Sequence, residues 1–259
     1  DWDFDVVFNG LHGGAGEDGT LQAVLDYLRI PYTGSRAAAS ALAMDKQRAK
    51  IIAAAAGVPV PEGIHLERSA LAAGTLEQQV RETLGLPVVV KPNAQGSSVG
   101  MSIVHSFEEF DAAARSAFDV DRSILVERYI EGREITQAVL EAAPDLPLLE
   151  IKPKSGLYDY YHKYQAGNSE YIVPAPVDAS VARDVLASSK RAFDALALSI
   201  YARLDFRLDP QNQHYLLEAN TLPGMTAVSL VPKAAAAVGI SYTELCDRIV
   251  RESLARFQS

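Results

Sequence analysis

Short apolar runs alternate with amphipathic stretches along the whole chain. Phe4–Leu11 (FDVVFNGL) is apolar and rich in β-branched residues, which predicts a buried strand. A glycine-rich turn follows, and Thr20–Leu28 predicts a helix with Thr20 as candidate N-cap. Pro31 and Gly34 break the chain around a short second strand. Asp45–Ala56 predicts a helix that stops at Gly57 and the turn Val58-Pro59-Val60-Pro61. Leu86–Lys91, Met101–Val104 and Ser123–Tyr129 predict strands, with an amphipathic helix over Phe107–Ala117 between the last two. Ile135–Leu140 and Pro147–Ile151 predict antiparallel strands.

Ser155–Glu170 is polar, Tyr-rich and punctuated by glycine, which predicts a long loop of the kind that serves as a lid. Ala179–Leu198 predicts a helix. Ile200–Leu208 and His214–Ala219 predict two strands joined by the turn Asp209-Pro210-Gln211-Asn212. Tyr242–Phe257 predicts a closing amphipathic helix. Boundaries near Met44 and at Glu131-Gly132 divide the chain into three small α/β units, 1–44, 45–132 and 133–259.

Composition narrows the function classes. With 259 residues, 48% of them hydrophobic, the chain can bury a sizeable core. A net charge of -9 argues against broad electrostatic binding of nucleic acid, although a local basic site for a nucleotide is compatible with it. The single cysteine, Cys246, excludes an intrachain disulfide framework and a Cys-rich zinc site, and it reads as core packing. No apolar run reaches the roughly 18 residues of a membrane span, and no secretory leader is visible, so the expectation is a cytoplasmic protein without a membrane partner. The chain opens on Asp-Trp-Asp rather than Met, which leads us to expect a fragment or a processed form.

Three constellations carry candidate chemistry. Gly14-Ala15-Gly16-Glu17-Asp18-Gly19 matches GxGxxG between a strand and a helix. Glu17 and Asp18 would put negative charge where a pyrophosphate should sit, and no acidic residue ends a second strand about 20 residues on, so a dinucleotide site is disfavoured. Lys91-Pro92 with Gly96-Ser97-Ser98-Val99-Gly100 places a lysine at a strand end beside a flexible loop. Such a pair can hold phosphates, or it can be a polar hairpin. Asp205, Glu218 and Asn220 fall on two neighbouring strands, with Glu218 and Asn220 two apart on one face. Two carboxylates and an amide oxygen suit Mg²⁺. The competing reading is a solvated sheet face, against which Leu216-Leu217 makes the strand apolar. Arg203, two before Asp205, can stabilise a transferring phosphoryl group or an oxyanion. His12 stands at a strand end before the glycine-rich turn, where an active-site role fits; His65, His105, His162 and His214 read as structural or surface.

Taken together, these segments resemble the D-alanine–D-alanine ligases of the ATP-grasp superfamily. His12-Gly13-Gly14-Ala15-Gly16-Glu17-Asp18-Gly19 is similar to their HGxxGEDG signature. Tyr32-Thr33-Gly34-Ser35, Met44-Asp45-Lys46, Lys91-Pro92, Gly96–Gly100, Glu127-Arg128-Tyr129, Glu134, Lys163-Tyr164, Arg203-Leu204-Asp205, Glu218–Thr221 and Pro223–Thr226 follow in family order through essentially the whole chain. The resemblance implies an α/β (α+β) ATP-grasp fold behind a truncated Rossmann-like N-terminal unit. It implies ligation of two D-alanine molecules through a D-alanyl phosphate for peptidoglycan precursors; D-alanyl-D-lactate or D-alanyl-D-serine synthesis and an inactive nucleotide-binding module are the alternatives.

The roles it implies are specific. Lys46 and Lys91 would hold the ATP phosphates, and Lys163 would reach the γ-phosphate when the lid closes. Glu127 would accept the adenine amino group, Glu134 would bind the ribose hydroxyls, and Tyr129 with Leu217 would border the base. Asp205, Glu218 and Asn220 would bind two Mg²⁺ (or Mn²⁺) ions. Arg203 and the Gly224 backbone would form the oxyanion site. Ser229 and Leu230 would hold the carboxylate of the second D-alanine, with His12 near the first. Ser97 and Tyr164 are expected in the catalytic set, Tyr164 as the mark of a dipeptide-making enzyme. A homodimer is the expected assembly. The family has an earlier strand and helix whose glutamate helps bind the first D-alanine and pairs with the serine matching Ser97. No counterpart is found here, so a weak or inactive ligase is expected.

Overall fold

The structure, a computed structural model, describes residues 3–73, 75–96, 99–153 and 169–258. The N-terminal part contains a single 3₁₀ turn at Gly14–Gly16 and helices α1 (Thr20–Tyr27), α2 (Ala37–Met44) and α3 (Lys46–Ala55). Then come β1 (Gly63–Glu67), α4 (Arg68–Ala73), α5 (Leu76–Thr83), β2 (Val88–Pro92), β3 (Ser102–Val104), α6 (Phe107–Val120) and β4 (Ser123–Arg128). These four strands form an antiparallel sheet in the order β1-β4-β2-β3. The C-terminal part contributes β5 (Arg133–Leu140), β6 (Leu149–Pro153), β7 (Ser169–Ile172), α7 (Ala179–Ala195), β8 (Tyr201–Leu208), β9 (His214–Asn220), α8 (Leu230–Ala236) and α9 (Tyr242–Gln258). Its sheet is also antiparallel, in the order β7-β6-β5-β8-β9.

Strand alternation decides which side chains meet the helices. On the first sheet, Val88 and Val90 of β2 and Ile124 and Val126 of β4 pack with Val80, Phe110 and Phe118 of the helices. The intervening positions, Val89, Lys91 and Glu127, face the other way and line a cleft. On β8 the even residues Ala202, Leu204, Phe206 and Leu208 enter the core beneath α3 and α7. Of the odd residues, Asp205 and Arg207 line the same cleft. Most of the second sheet is therefore buried on one face by helices, while the other presents charged groups to the first sheet.

Several expectations are corrected. Phe4–Leu11 is not a strand: only Val7 bridges, in parallel, to Tyr32. The ladder stops there because the next amide, of Asn9, donates to the Thr33 hydroxyl at 3.0 Å instead of to a backbone carbonyl. Thr20 is the first residue of α1 rather than its cap. Gly19 holds the cap position with φ 91°, and the Asp18 carboxylate accepts from the Thr20 amide at 2.9 Å. Strand pairing begins again at Ser169, so the predicted loop over Ser155–Glu170 ends earlier than expected; its part over 155–168 lies outside the described residues. The N-terminal helix α2, the elements β1, α4 and α5, and α8 were not anticipated.

Two of the three GxGxxG glycines, Gly16 and Gly19, are packing devices, whereas Gly14 has open space around it. A Cβ on Gly16 would stand 1.8 Å from the Leu11 carbonyl oxygen, and one on Gly19 would stand 2.3 Å from that of Ala37. Both positions require close backbone approach, which only glycine allows.

Candidate active site

A cleft, open at its mouth, lies between the two sheets. Lys46, Lys91, Glu127, Tyr129, Glu134, Asp205, Leu217 and Glu218 all contribute to its wall. A neighbouring hollow is lined by Glu17, Lys46, Gly96, Glu218, Asn220 and Leu222, among others. Lys46 and Glu218 are common to both.

Helix α3 aims Lys46 because its start is locked. The Asp45 carboxylate caps the helix by accepting from the Arg48 amide at 3.0 Å. Asn93, just after β2, donates its amide to Asp45 at 3.0 Å and accepts from the Gln47 amide at 2.9 Å. The Lys46 ammonium then donates to the Gln95 carbonyl at 2.6 Å and stands 3.7 Å from the Glu218 carboxylate. Burial lowers the Lys46 pKa, and Lys91 adds to the fall, while Glu218 and Glu127 oppose it.

Glu127 lies deep in the wall, with one oxygen 2.6 Å from the Lys91 ammonium and the other bonded to Lys50. Burial alone would raise its carboxyl, but the Lys50 and Lys91 ammonium groups overcome this and hold it below the usual carboxylate range. Lys50 was missed by sequence reasoning, since a lysine in an amphipathic helix ordinarily reads as solvated. The available signal was spacing: Lys46, Ala49, Lys50 and Ala53 form one i, i+3, i+4, i+7 stripe, and all four are buried.

On the opposite sheet, Asp205 and Glu218 are register partners. The Asp205 carboxylate accepts from Thr136 Oγ1 at 2.6 Å, Arg203 Nη2 at 2.8 Å and the Asn220 amide at 3.0 Å. Arg203, Asp205, Glu218 and Asn220 are thus one cluster, as alternation along β8 and β9 predicts. Thr136 was not anticipated. Nor was Arg207, which donates to the Ile130 carbonyl at 3.0 Å and to the Tyr129 hydroxyl at 3.2 Å, fixing the strand exit beside the cleft.

Of the remaining candidates, His12, Gly224, Ser229 and Leu230 lie apart from the lining of both hollows. His12 Nδ1 is 3.1 Å from the Leu222 carbonyl oxygen and 3.5 Å from the Glu17 carboxylate. Ser229, at the head of α8, accepts from the Thr226 amide at 3.1 Å, with Leu230 next to it as the first helical residue. A Cβ on Gly224 would meet the Ser229 hydroxyl at 3.0 Å. Ser97, Lys163 and Tyr164 lie outside the described residues.

Two antiparallel sheets meeting at a cleft of paired lysines and carboxylates define the ATP-grasp class. Comparison with known proteins narrows this. The family models for the D-ala D-ala ligase C-terminus and N-terminus match residues 52–251 and 2–35. The D-alanine–D-alanine ligase of Bordetella pertussis is 45% identical over 259 residues, covering 99% of this chain and 80% of the relative. The crystal structure of the Bacillus anthracis D-alanine–D-alanine ligase complexed with ATP superposes with a TM-score of 0.85 at 36% identity, over 99% of this chain and 81% of that one. The VanG D-Ala:D-Ser ligase of Enterococcus faecalis superposes at 0.87 and 33% identity, over 96% and 73%. The chain belongs to the D-alanine–D-alanine ligase family.

Proposed function

We propose that this chain joins two D-alanine molecules into D-alanyl-D-alanine at the expense of ATP, in the cytoplasm, for peptidoglycan precursor synthesis. The observation that carries the reading is the cleft itself, where Lys46 and Lys91 face Asp205 and Glu218. Two lysines favour a polyphosphate, and two carboxylates beside them would repel it unless a cation intervened. Asp205, Glu218 and Asn220 offer a hard-oxygen set that fits Mg²⁺ or Mn²⁺. Bound there as two ions, the metal supplies charge neutralisation for phosphoryl transfer.

The chain's own groups have distinct tasks. Lys46 and Lys91 hold the phosphates of ATP, Glu134 its ribose, and Glu127, Tyr129 and Leu217 its base. The carboxylate of the first D-alanine, near His12, attacks the γ-phosphorus as the bond to ADP breaks. The amine of the second D-alanine, its carboxylate held at Ser229 and Leu230, loses a proton and attacks the carbonyl carbon of the acyl phosphate. Arg203 and the Gly224 amide hold the oxyanion, and phosphate leaves with the electron pair of the broken C–O bond. The family resemblance adds Ser97, Lys163 and Tyr164 to the catalytic set, and keeping water from the acyl phosphate favours attack by the amine over hydrolysis.

Mass spectrometry of the product, with D-alanine, D-serine and D-lactate competing at pH 7, tests the proposal together with ADP and phosphate release. Dominant D-alanyl-D-alanine supports it. Dominant D-alanyl-D-serine would favour the second reading, which the likeness to VanG supports. A melting shift with Mg-ATP but no phosphate release would favour an inactive nucleotide module. A homodimer is also proposed, supported by the exposed apolar side chains of Val24 and Tyr27 on α1 and of Leu28 at its C-cap. Sedimentation as a monomer at micromolar concentration would overturn it.

A further inference from the structure

We propose that Lys50 is a positioning residue of the nucleotide site: from behind the cleft wall it holds one oxygen of Glu127, so that the other fixes the Lys91 ammonium at the wall. The inference rests on the nucleotide reading of the cleft given above. Lys50 follows Lys46 by one turn of α3, yet only Lys46 reaches the cleft lining. The Lys50 ammonium donates instead to Glu127 Oε1, while Lys91 Nζ lies 2.6 Å from Oε2. All three side chains are at least nine-tenths buried, so water screens their interactions little.

Charge counting shows what the arrangement achieves. Glu127 paired with Lys91 alone would be a neutral couple, with the lysine's charge spent on the carboxylate. A second cation on the same carboxylate leaves the trio with a net charge of +1 beside a site for phosphates. That charge is adjustable, because burial, helped by Lys91 and opposed by Glu127, pulls the Lys50 ammonium down to about 7. The charged groups facing Lys50 are Glu127 on β4 and Lys91 on β2. Lys46, on its own helix, is engaged by the Gln95 carbonyl and Glu218 of β9. Arg191 of α7 turns to the Gly57 carbonyl.

The test uses the full chain, with ADP binding by titration calorimetry beside steady-state kinetics. Lys50→Met is expected to weaken ADP binding and raise KM for ATP by about tenfold or more, with kcat and KM for D-alanine within about threefold of the parent. Wild-type ADP affinity in Lys50→Met would overturn the proposal. So would a parallel loss in kcat and both KM values with a fallen melting temperature. If Lys50→Met does not fold, Lys50→Arg takes its place, because a guanidinium keeps its proton. The parent should lose ADP affinity from pH 6 to pH 8 more steeply than Lys50→Arg; equal slopes would overturn the proposal. ADP binding is read without turnover. Nucleotide binding without dipeptide would sink the ligase reading and leave this one standing.

Discussion

Asp205 and Glu218 are the last regular pair before the β8–β9 ladder slips: the next pair is Phe206 with Leu216, and Leu217 is left opposite nothing. This is a β-bulge, one extra residue on β9. It lets two consecutive residues, Leu217 and Glu218, line the same cleft, which strict alternation would forbid. The bulge therefore adds an apolar wall beside the acidic pair without disturbing the pair itself.

The two carboxylates should separate in mutagenesis. Glu218 is about one-third exposed, whereas Asp205 is nearly buried and paired to Arg203. Glu218→Gln is expected to cut turnover by about a hundredfold or more and to change stability by less than about 0.5 kcal/mol. Asp205→Asn should cost turnover as severely and also about 1–3 kcal/mol of stability, because it removes the buried charge that accepts from the Arg203 fork, Thr136 and Asn220. Turnover across a Mg²⁺ titration and chemical denaturation of both variants measure this. Near-parental turnover in either folded variant removes that residue from the metal site.

Leu217→Ala tests the wall that the bulge creates. Removing most of a leucine side chain from contact with a base sacrifices about 1–2 kcal/mol of apolar burial, or roughly five- to thirtyfold in KM for ATP. The acidic pair stays in register, so kcat should hold. A fall in kcat with KM unchanged would show that Leu217 does not border the base.

Arg203→Lys tests the oxyanion role. Arg203 is oriented by two bonds, Nε and Nη2, to the Asp205 carboxylate at 2.9 and 2.8 Å. A lysine keeps the charge and loses the fork. Turnover should fall by about a hundred- to a thousandfold with ADP affinity little changed. An equal loss of nucleotide affinity would move Arg203 from the oxyanion to ATP binding.

Much of this site was legible because charged residues interrupt apolar strands at period two. Arg203, Asp205 and Arg207 alternate with Leu204, Phe206 and Leu208, and that pattern alone separates a core face from a polar one. What escaped has physical causes. Helix α2 (AAASALAM) is apolar nearly all round and only eight residues long, so periodicity gives no signal. Phe4–Leu11 has strand composition, but pairing is a tertiary property, and Asn9 finds the Thr33 hydroxyl and the Gly16 carbonyl instead. The bulge at Leu217 depends on partners far along the chain, which local patterns do not encode, and the burial of Lys50 showed only in the short stripe it shares with Lys46, Ala49 and Ala53.

His214 is buried on β9 and removed from the cleft. Arg191 donates to the Ser188 hydroxyl oxygen at 2.9 Å, which leaves that hydroxyl's hydrogen for His214 Nε2 at 2.7 Å. In the neutral ring with Nε2 unprotonated, that hydroxyl donates to it. Burial lowers the His214 pKa and the nearby Arg191 adds to this, with Asp184 opposing. The sign follows from linkage. The unfolded chain takes up a proton near pH 6.5, before the folded protein does, so this contribution is present above about pH 6.5 and is lost as pH falls. From one such group the loss can approach but not exceed about 1.4 kcal/mol per pH unit. Chemical denaturation at pH 7.5, 6.5, 6.0 and 5.5 should show the parent weakening over the last two steps. His214→Asn starts from a lower stability but should fall less steeply, because its side chain takes up no proton. Equal slopes in the two proteins would mean that His214 titrates alike folded and unfolded, and the acid sensitivity would then have to come from the carboxylates.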